Sequence, residues 1–535
     1  MNFDVFRLQE FRNSDFTITT EAIGNWNISG SQTMKINRRQ FLAGLGALST
    51  LSGRRLFAQS INSYSLLRTP CLQRTQQDGV TIVWATLGPG TGYIQYSEDG
   101  YGANFAEARS RIFLPQHTGL PYSYVQHEAT IRDLAPNTPY QYSVLADGES
   151  ISSPGSCCFS TAGTGPFSFV VFGDSGQGGA EQYALASRIA MEGSSFVLHT
   201  GDLAYMHGTF EQYHSNYFPY YGALMNSVPF FPTPGNHDYL SNNAAAYLAL
   251  HSVPQDTVPF NDRGRYYSFD WGNAHFVSLD SNASLVSAIE GTGSMLEWLE
   301  ADLRATRQFW RIVFFHHPPY AAGPNQSDEI SSLVRESMVP ILEKYGVQLV
   351  LNGHEHAYHR SRLIRNGTVA KPADGITYVT SGGGGAFLYP VFPHNLVEVS
   401  KPEHHYIRVD VRGTRMTLRT VGIDGTEIDR VTLAPPPAIA ADGAEPAVRF
   451  SPRLEPGAMV RIAGRGLAAE ERYASDQQLP RDLAGTVVTL NGRPISLLYV
   501  SSQEIRGQVP FDVRGSVTLG VSTPNGFVET SIRVP

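Results

Sequence analysis

Five short apolar runs in this chain each end in a polar turn that carries side chains able to hold a metal ion. Phe167 to Phe172 lead into Gly173-Asp174-Ser175-Gly176, and Ser195 to His199 lead, through Thr200, into Gly201-Asp202-Leu203-Ala204-Tyr205. Pro229 to Pro234 lead into Gly235-Asn236-His237-Asp238, Arg311 to Phe315 into His316-His317-Pro318-Pro319-Tyr320, and Val347 to Leu351 into Gly353-His354-Glu355-His356. The turns offer, in order, Asp174, Asp202 with Tyr205, Asn236, His316, and His354 with His356. Hard oxygen and imidazole donors of this mix suit iron, zinc or manganese rather than copper. A carboxylate such as Asp202 has two oxygens and can bridge two cations, while a phenol three residues later reaches one of them if that ion is acidic enough to ionise it. Two ions held together lower the pKa of a bound water and clamp the attacking and leaving oxygens of an in-line displacement at phosphorus.

Each turn alone has a plainer reading. A Gly-Asp after a strand is usually a turn whose aspartate accepts backbone N–H bonds, and an Asn-His is usually a capped loop. Five such turns in one order, each in the same setting, point to a metal site. The elements that must position them are buried strands, since short apolar runs bounded by turn residues read that way. Helical patterns lie between them, including Ala180 to Glu192 and Ser331 to Tyr345, as an α/β sandwich requires. The domain so defined runs from about Thr164 to Leu433, with Gly375 to Ser381, His405 to Val411 and Thr414 to Val421 expected as its closing antiparallel part. Gly382 to Gly385 lack the lysine-serine ending of a phosphate-cradling loop and read as a close-packed turn near the mouth of the site.

The five blocks resemble those of the purple acid phosphatases within the calcineurin-like metallophosphoesterases: GDxG, GDxxY, GNH(D/E), VxxH and GHxH. All five are present. By that resemblance Asp174, Tyr205 and His356 would hold a first metal, Asn236, His316 and His354 a second, and Asp202 would bridge them. The resemblance selects His316 over His317, which is expected behind the ligands or facing solvent. It implies a binuclear centre of iron(III) with iron, zinc or manganese, and a metal-bound hydroxide attacking the phosphoryl group of small phosphate monoesters. His237, one residue past Asn236, would hydrogen-bond the phosphate or protonate the leaving oxygen. The chain departs from the plant-type pattern in having no histidine between Ala321 and Ser327, and in carrying His359 where glutamate is frequent. A phosphodiesterase of the same superfamily would share most of the ligands, and a non-catalytic surface protein with a vestigial site is the third reading.

The flanks are of a different kind. The 535 residues, 41% of them hydrophobic, have room for two to four domains. A net charge of −8 gives no electrostatic footprint for nucleic acid. Asn37-Arg38-Arg39-Gln40-Phe41-Leu42, with the apolar stretch to Leu51 and Leu56-Phe57-Ala58, resembles a twin-arginine export signal over 34–58. That places the protein in the periplasm or outside the cell, without stable membrane insertion once the signal is removed. Residues 1–33 would be an over-extended start or a disordered leader. Residues 62–162 alternate as short strands, with a tyrosine corner in Leu134 to Tyr142, and resemble the fibronectin-type-III-like domain ahead of many purple acid phosphatase catalytic domains. His127 is expected to be structural there. Residues 434–445 read as a Pro/Ala-rich linker, and 446–535, with turns at Asn491-Gly492 and Pro524-Asn525-Gly526, resemble an IPT/TIG-like immunoglobulin module. The expected fold class is thus multidomain, a central α/β metallophosphoesterase sandwich flanked by an N-terminal and a C-terminal β-sandwich. Of three cysteines, Cys71 either pairs with the vicinal Cys157-Cys158 or all three stay reduced. Nothing in the sequence fixes an oligomeric state.

Overall fold

Three parallel strands, Phe167–Phe172, Phe196–His199 and Phe230–Pro232, begin the central domain of the computed structural model. The structure describes residues 65–535 except 99–103, 153–156, 372–373, 448–453 and 476–477, together with the strands Arg7–Glu10, Asp15–Thr19 and Met34–Asn37. Those three strands form an antiparallel sheet in a separate unit of residues 1–62. The twin-arginine pair and the apolar stretch after it lie outside the described residues.

The first central sheet continues antiparallel from Phe167–Phe172 through His405–Arg412, Arg415–Gly422 and Glu427–Leu433. The second sheet runs in the order Tyr267–Trp271, Ala274–Ser278, Trp310–Phe314, Leu349–Asn352, Thr377–Ser381, Tyr358–Ser361 and Val397–Lys401. Thr377–Ser381 pairs parallel with Leu349–Asn352 on one side and antiparallel with Tyr358–Ser361 on the other, so it stands where the parallel part passes into the expected antiparallel closure. Every residue of that strand is buried, and a strand covered on both faces is the normal member of a parallel sheet. One core of aromatic side chains joins the two sheets. Phe231 stacks on Phe269 with centroids 3.9 Å apart, and Phe196 meets Phe169, Phe276 and Trp271. Burying each such ring contributes about 1.5–3 kcal/mol. The helical patterns appear as Ala180–Ile189 and as a helical run from Glu329 to Lys344 that widens to a π-helical turn at Val334–Met338.

The consequence for function is positional. Phe172 lies opposite His199, and His199 opposite Pro232, so the turns after these strands emerge side by side at one edge. Phe314 is likewise opposite Leu351 in the second sheet. Backbone bonds tie the two edges together: Gly173 N–H donates to Ser381 O at 2.9 Å and Gly384 N–H to Gly173 O at 3.0 Å. Ligands of open α/β sheets gather at such carboxyl ends.

The N-terminal domain has two sheets around Leu72, Ile82, Trp84, Ile94, Tyr142 and Phe159. Its corner is made by Tyr140, whose hydroxyl accepts the Ala135 N–H at 3.0 Å. His127 stacks on Trp84 and is held between Thr86 and Ser110 hydroxyls at 2.9 Å, with burial lowering its pKa to about 4, a structural residue as expected. The domain braces the catalytic unit: Gln126 donates to Ala249 O at 2.9 Å and Tyr142 to Asn226 O at 2.8 Å. No disulfide forms. Cys71 and Cys157 are buried thiols, Cys158 is exposed, and Cys71 Sγ lies 3.7 Å from Met225 Sδ.

The linker is shorter than expected. Only Ala434 to Pro437 lie between strands, because Ala438–Pro446 pairs antiparallel with Met459–Arg465 and opens the C-terminal domain. Composition could not show this, since the Ala-rich stretch gains its strand partner only from residues further on. Two sheets enclose the core of that domain, built from Val460, Ile462, Leu497, Ile505, Leu519 and Val521.

Candidate metal centre

Seven side chains expected to act as ligands converge at the common strand edge, and they do so as two overlapping groups. In the first, the Tyr205 hydroxyl is 3.2 Å from Asp174 Oδ1, 2.9 Å from Asp202 Oδ2 and 3.0 Å from His356 Nε2. In the second, Asn236 Oδ1 is 2.8 Å from His316 Nε2 and 3.0 Å from His354 Nδ1. Asp202 Oδ2 also lies 3.5 Å from His316 Nε2, so this carboxylate stands between the groups. Asp174, Asp202 and His316 are fully or almost fully buried.

The backbone is bent to achieve this. Asp174, Asp202 and His354 have φ of 59°, 55° and 69°, a region that costs a residue with a Cβ of order 1–3 kcal/mol. Surrounding bonds hold them there: Asp174 N–H donates to Gly201 O at 3.0 Å, and His354 N–H donates to the Asp174 carboxylate at 3.0 Å. Gly235 is required for a different reason. A Cβ at that position would overlap Asp202 Oδ1 and the Asp202 backbone nitrogen.

The three imidazoles are oriented from behind. His316 Nδ1 donates to Thr200 O at 2.9 Å, His356 Nδ1 to Phe387 O at 2.7 Å, and His354 Nε2 to Asp328 Oδ2 at 3.0 Å. With its outer nitrogen committed as donor, each neutral ring turns a lone pair inward, toward oxygens that are themselves acceptors. Lone pairs facing lone pairs at 2.8–3.3 Å require a cation or a proton between them. No Lys or Arg pairs with Asp174 or Asp202 among the described residues. The donor set therefore fits two metal ions, and outer hydrogen bonds of this kind are the ones that fix ligand tautomers.

The electrostatics agree. Burial opposes charge on His316, yet Asp202 and Asp174 raise its pKa to about 9. Burial also opposes ionisation of Asp202, but His316 and His237 hold its carboxyl well below the usual carboxylate range. Tyr205 is driven well above an ordinary phenol by burial and by Asp202 and Asp174. Only a strong positive charge at the same place would reverse that and release the phenolate.

His237 sits at the rim. Its backbone N–H donates to Asp202 Oδ1 at 2.9 Å, its Nδ1 faces Met206 O at 2.7 Å, and its Nε2 is 3.9 Å from Asp202 Oδ2. His317 lies behind His354, ring centroids 4.4 Å apart, and bonds Ser281 through Nδ1 at 2.8 Å. It is buried, so the solvent-facing alternative is excluded, and burial and His354 push its pKa well down. His359 is buried on the Tyr358–Ser361 strand with Nδ1 on Ser400 Oγ at 2.7 Å, and burial lowers its pKa to about 3. The glycines 382–385 pack against the site: a Cβ on Gly382 would overlap Glu355 O, and one on Gly384 would overlap Gly173 O.

Sequence reasoning missed three acids. Asp328 holds His354 and also caps the helix after it by accepting the Ser331 N–H. Asp238 accepts from Gly235 N–H at 2.9 Å and Tyr213 hydroxyl at 2.7 Å, and burial with Asp202 nearby raises its pKa to about 7. Glu355, between the two ligand histidines, is buried and accepts the Asn325 N–H at 2.6 Å, with burial raising its pKa to about 7. An aspartate before a helical pattern is a visible cap signal for Asp328, but its contact with His354 joins residues 26 apart and has no local signature.

The comparisons with known proteins accord with this geometry. Residues 167–358 match the family model of the calcineurin-like phosphoesterases, and residues 70–158 that of the purple acid phosphatase N-terminal domain. The class is therefore a multidomain metallophosphoesterase. Among curated proteins, the human acid phosphatase type 7 is 28% identical over 397 residues, covering 67% of this chain and 88% of that protein. Purple acid phosphatase 22 of Arabidopsis thaliana is 30% identical over 274 residues, covering 48% of this chain and 58% of its own. Among solved structures, the purple acid phosphatase PPD1 from yellow lupin seeds superposes with a TM-score of 0.62 at 18% identity, over 78% of this chain and 79% of that one. With both domain models in their expected order, this chain is a purple-acid-phosphatase-like metallophosphoesterase.

Proposed function

We propose that the chain is an exported acid phosphatase that hydrolyses small phosphate monoesters at a binuclear centre. The observation that carries the reading is the pair of overlapping donor groups sharing Asp202. Asp174, Tyr205 and His356 would hold one ion, Asn236, His316 and His354 the other, and Asp202 both. The phenol among them favours iron(III) in the first position, with iron, zinc or manganese in the second. When bound, such ions supply Lewis-acid activation of water and neutralise charge at the phosphoryl group.

The rest falls to the chain's own side chains. Thr200 O, Phe387 O and Asp328 keep the imidazole lone pairs aimed inward. His237, partly exposed beside Asp202, is placed to hydrogen-bond a phosphoryl oxygen and to give a proton to the departing oxygen. Its Nδ1 is committed to Met206 O, so Nε2 must carry that proton, and the ring acts as acid only as imidazolium. Export rests on the Asn37-Arg38-Arg39-Gln40-Phe41-Leu42 segment and its apolar continuation. Among the described residues no helix is long and apolar enough to cross a membrane.

The test is a metal analysis of the purified full chain combined with rates on phosphate mono- and diesters. Two ions per chain and faster monoester hydrolysis are expected. A preference for diesters would reassign the substrate class, and a metal-free protein would end the reading.

A further inference from the structure

Arg307, Arg311 and Arg465 line one cavity of about 170 Å³ between the catalytic domain and the C-terminal domain, and none of the three forms an ion pair among the described residues. Arg311, on the Trp310–Phe314 strand, reaches only Thr306 O at 3.4 Å, and its buried Nε has no partner. Arg465, at the end of Met459–Arg465, reaches Gly346 O at 3.3 Å. Arg307 and Arg465 also line an adjoining cavity of about 500 Å³, so the smaller space opens into a larger one.

Several other partly buried arginines do carry carboxylate partners. Arg360 is paired with Asp429 and Glu398, Arg408 with Glu192 and Asp410, and Arg461, also on the Met459–Arg465 strand, with Glu445 and Glu504. Burial, and then Arg465, lowers the pKa of Arg311 to about 10, as expected of a guanidinium with like charge beside it and no counter-ion. Like charges face one another across the domain boundary there, and a small anion between them would offset that repulsion.

We propose that this cavity is a binding site for a small tetrahedral oxyanion, phosphate or sulfate, held by Arg307 and Arg311 from the catalytic domain and Arg465 from the C-terminal domain. Guanidinium forks match oxyanions in geometry as well as charge. A volume of about 170 Å³ equals roughly five or six waters at ~30 Å³ each, enough for a five-atom oxyanion and part of its hydration but not for a polymer. The anion would clamp the C-terminal domain to the catalytic one.

The experiment uses the full-length metal-loaded protein and compares it with Arg465→Ala and Arg465→Lys. Phosphate and sulfate are titrated separately by calorimetry at constant ionic strength, and hydrogen exchange is followed at Gly464 to Leu467. Wild type should take up one more anion per chain than Arg465→Ala, and the anion should slow exchange in that segment only in wild type. Arg465→Lys, which keeps the charge but loses the fork, should weaken binding. kcat/KM on an aryl phosphate should be unchanged, which also shows that the variants fold. Binding of either anion, lost in the alanine variant, supports the site and names its ligand. Equal stoichiometry and equal exchange in wild type and variant would overturn it. The readout is the difference between proteins, so it stands whether or not the metal centre itself takes up phosphate.

Discussion

Replacing His237 by alanine should separate two kinds of phosphate ester. The alanine keeps the backbone N–H that bonds Asp202 Oδ1 at 2.9 Å, so the bridging carboxylate stays in place and both ions should be retained. What is lost is a ring at the rim, its side chain 21% exposed, whose removal leaves no sealed cavity. General acid–base assistance contributes about 10²–10⁴ in rate, or ~2.7–5.4 kcal/mol of barrier. That help matters where the departing oxygen is strongly basic. Glycerol phosphate should therefore lose close to the full factor in kcat/KM, whereas p-nitrophenyl phosphate, whose phenolate leaves without a proton, should lose about tenfold or less. Because Nδ1 is fixed on Met206 O, the proton given to the departing oxygen must come from Nε2. Equal losses on the two esters would refute the acid role and leave His237 as a phosphate-positioning group, with the proton coming from elsewhere.

Asp202→Ala should release both ions, since one carboxylate serves the two donor groups; elemental analysis that still finds two ions per chain would refute the bridge. Asp328→Asn should weaken only one ion, by about 10–100-fold in a metal titration, because Asp328 orients His354 without ligating. Tyr205→Phe should abolish a visible charge-transfer band, and a colourless, iron-free, fully active wild type would exclude iron(III). His275 gives a stability test away from the site. It is buried between Asp270 at 2.6 Å and Asp302 at 2.8 Å; burial opposes its charge, but the two carboxylates raise its pKa from 6.5 to about 9. A raised folded-state pKa stabilises fully below about 6.5, and that stabilisation is lost as pH rises through about 9. With the Asp270 side chain 46% exposed, ~1–3 kcal/mol is expected, and it should be absent from His275→Gln in urea unfolding at pH 6 and 10.

The strands that carry the ligands were legible because each is a short apolar run closed by a turn. Phe167–Phe172 has the residues expected of it, and the others agree to within a few residues at either end. Asp174, Asp202, Tyr205, Asn236, His237, His316, His354 and His356 could be named because their spacing from those strand ends is local. Errors came where pairing is not local. Thr377–Ser381 reads like any buried strand, and only its neighbours make it parallel to Leu349–Asn352 and antiparallel to Tyr358–Ser361. Ala438–Pro446 reads as a linker until Met459–Arg465 gives it hydrogen bonds.

By itself, then, the sequence determined which donors exist, their order, and the apolar runs that end beside them, because strand formation and turn chemistry act over a few residues. Only the tertiary structure decided which donors meet. Register brings Phe172 beside His199 and Phe314 beside Leu351, so residues far apart in the chain share one edge. It also decided which nitrogen of each histidine faces inward, through Thr200 O, Phe387 O and Asp328. Those partners are set by how two sheets pack, and a hydrogen bond across 116 residues leaves no periodicity or motif in the chain that makes it.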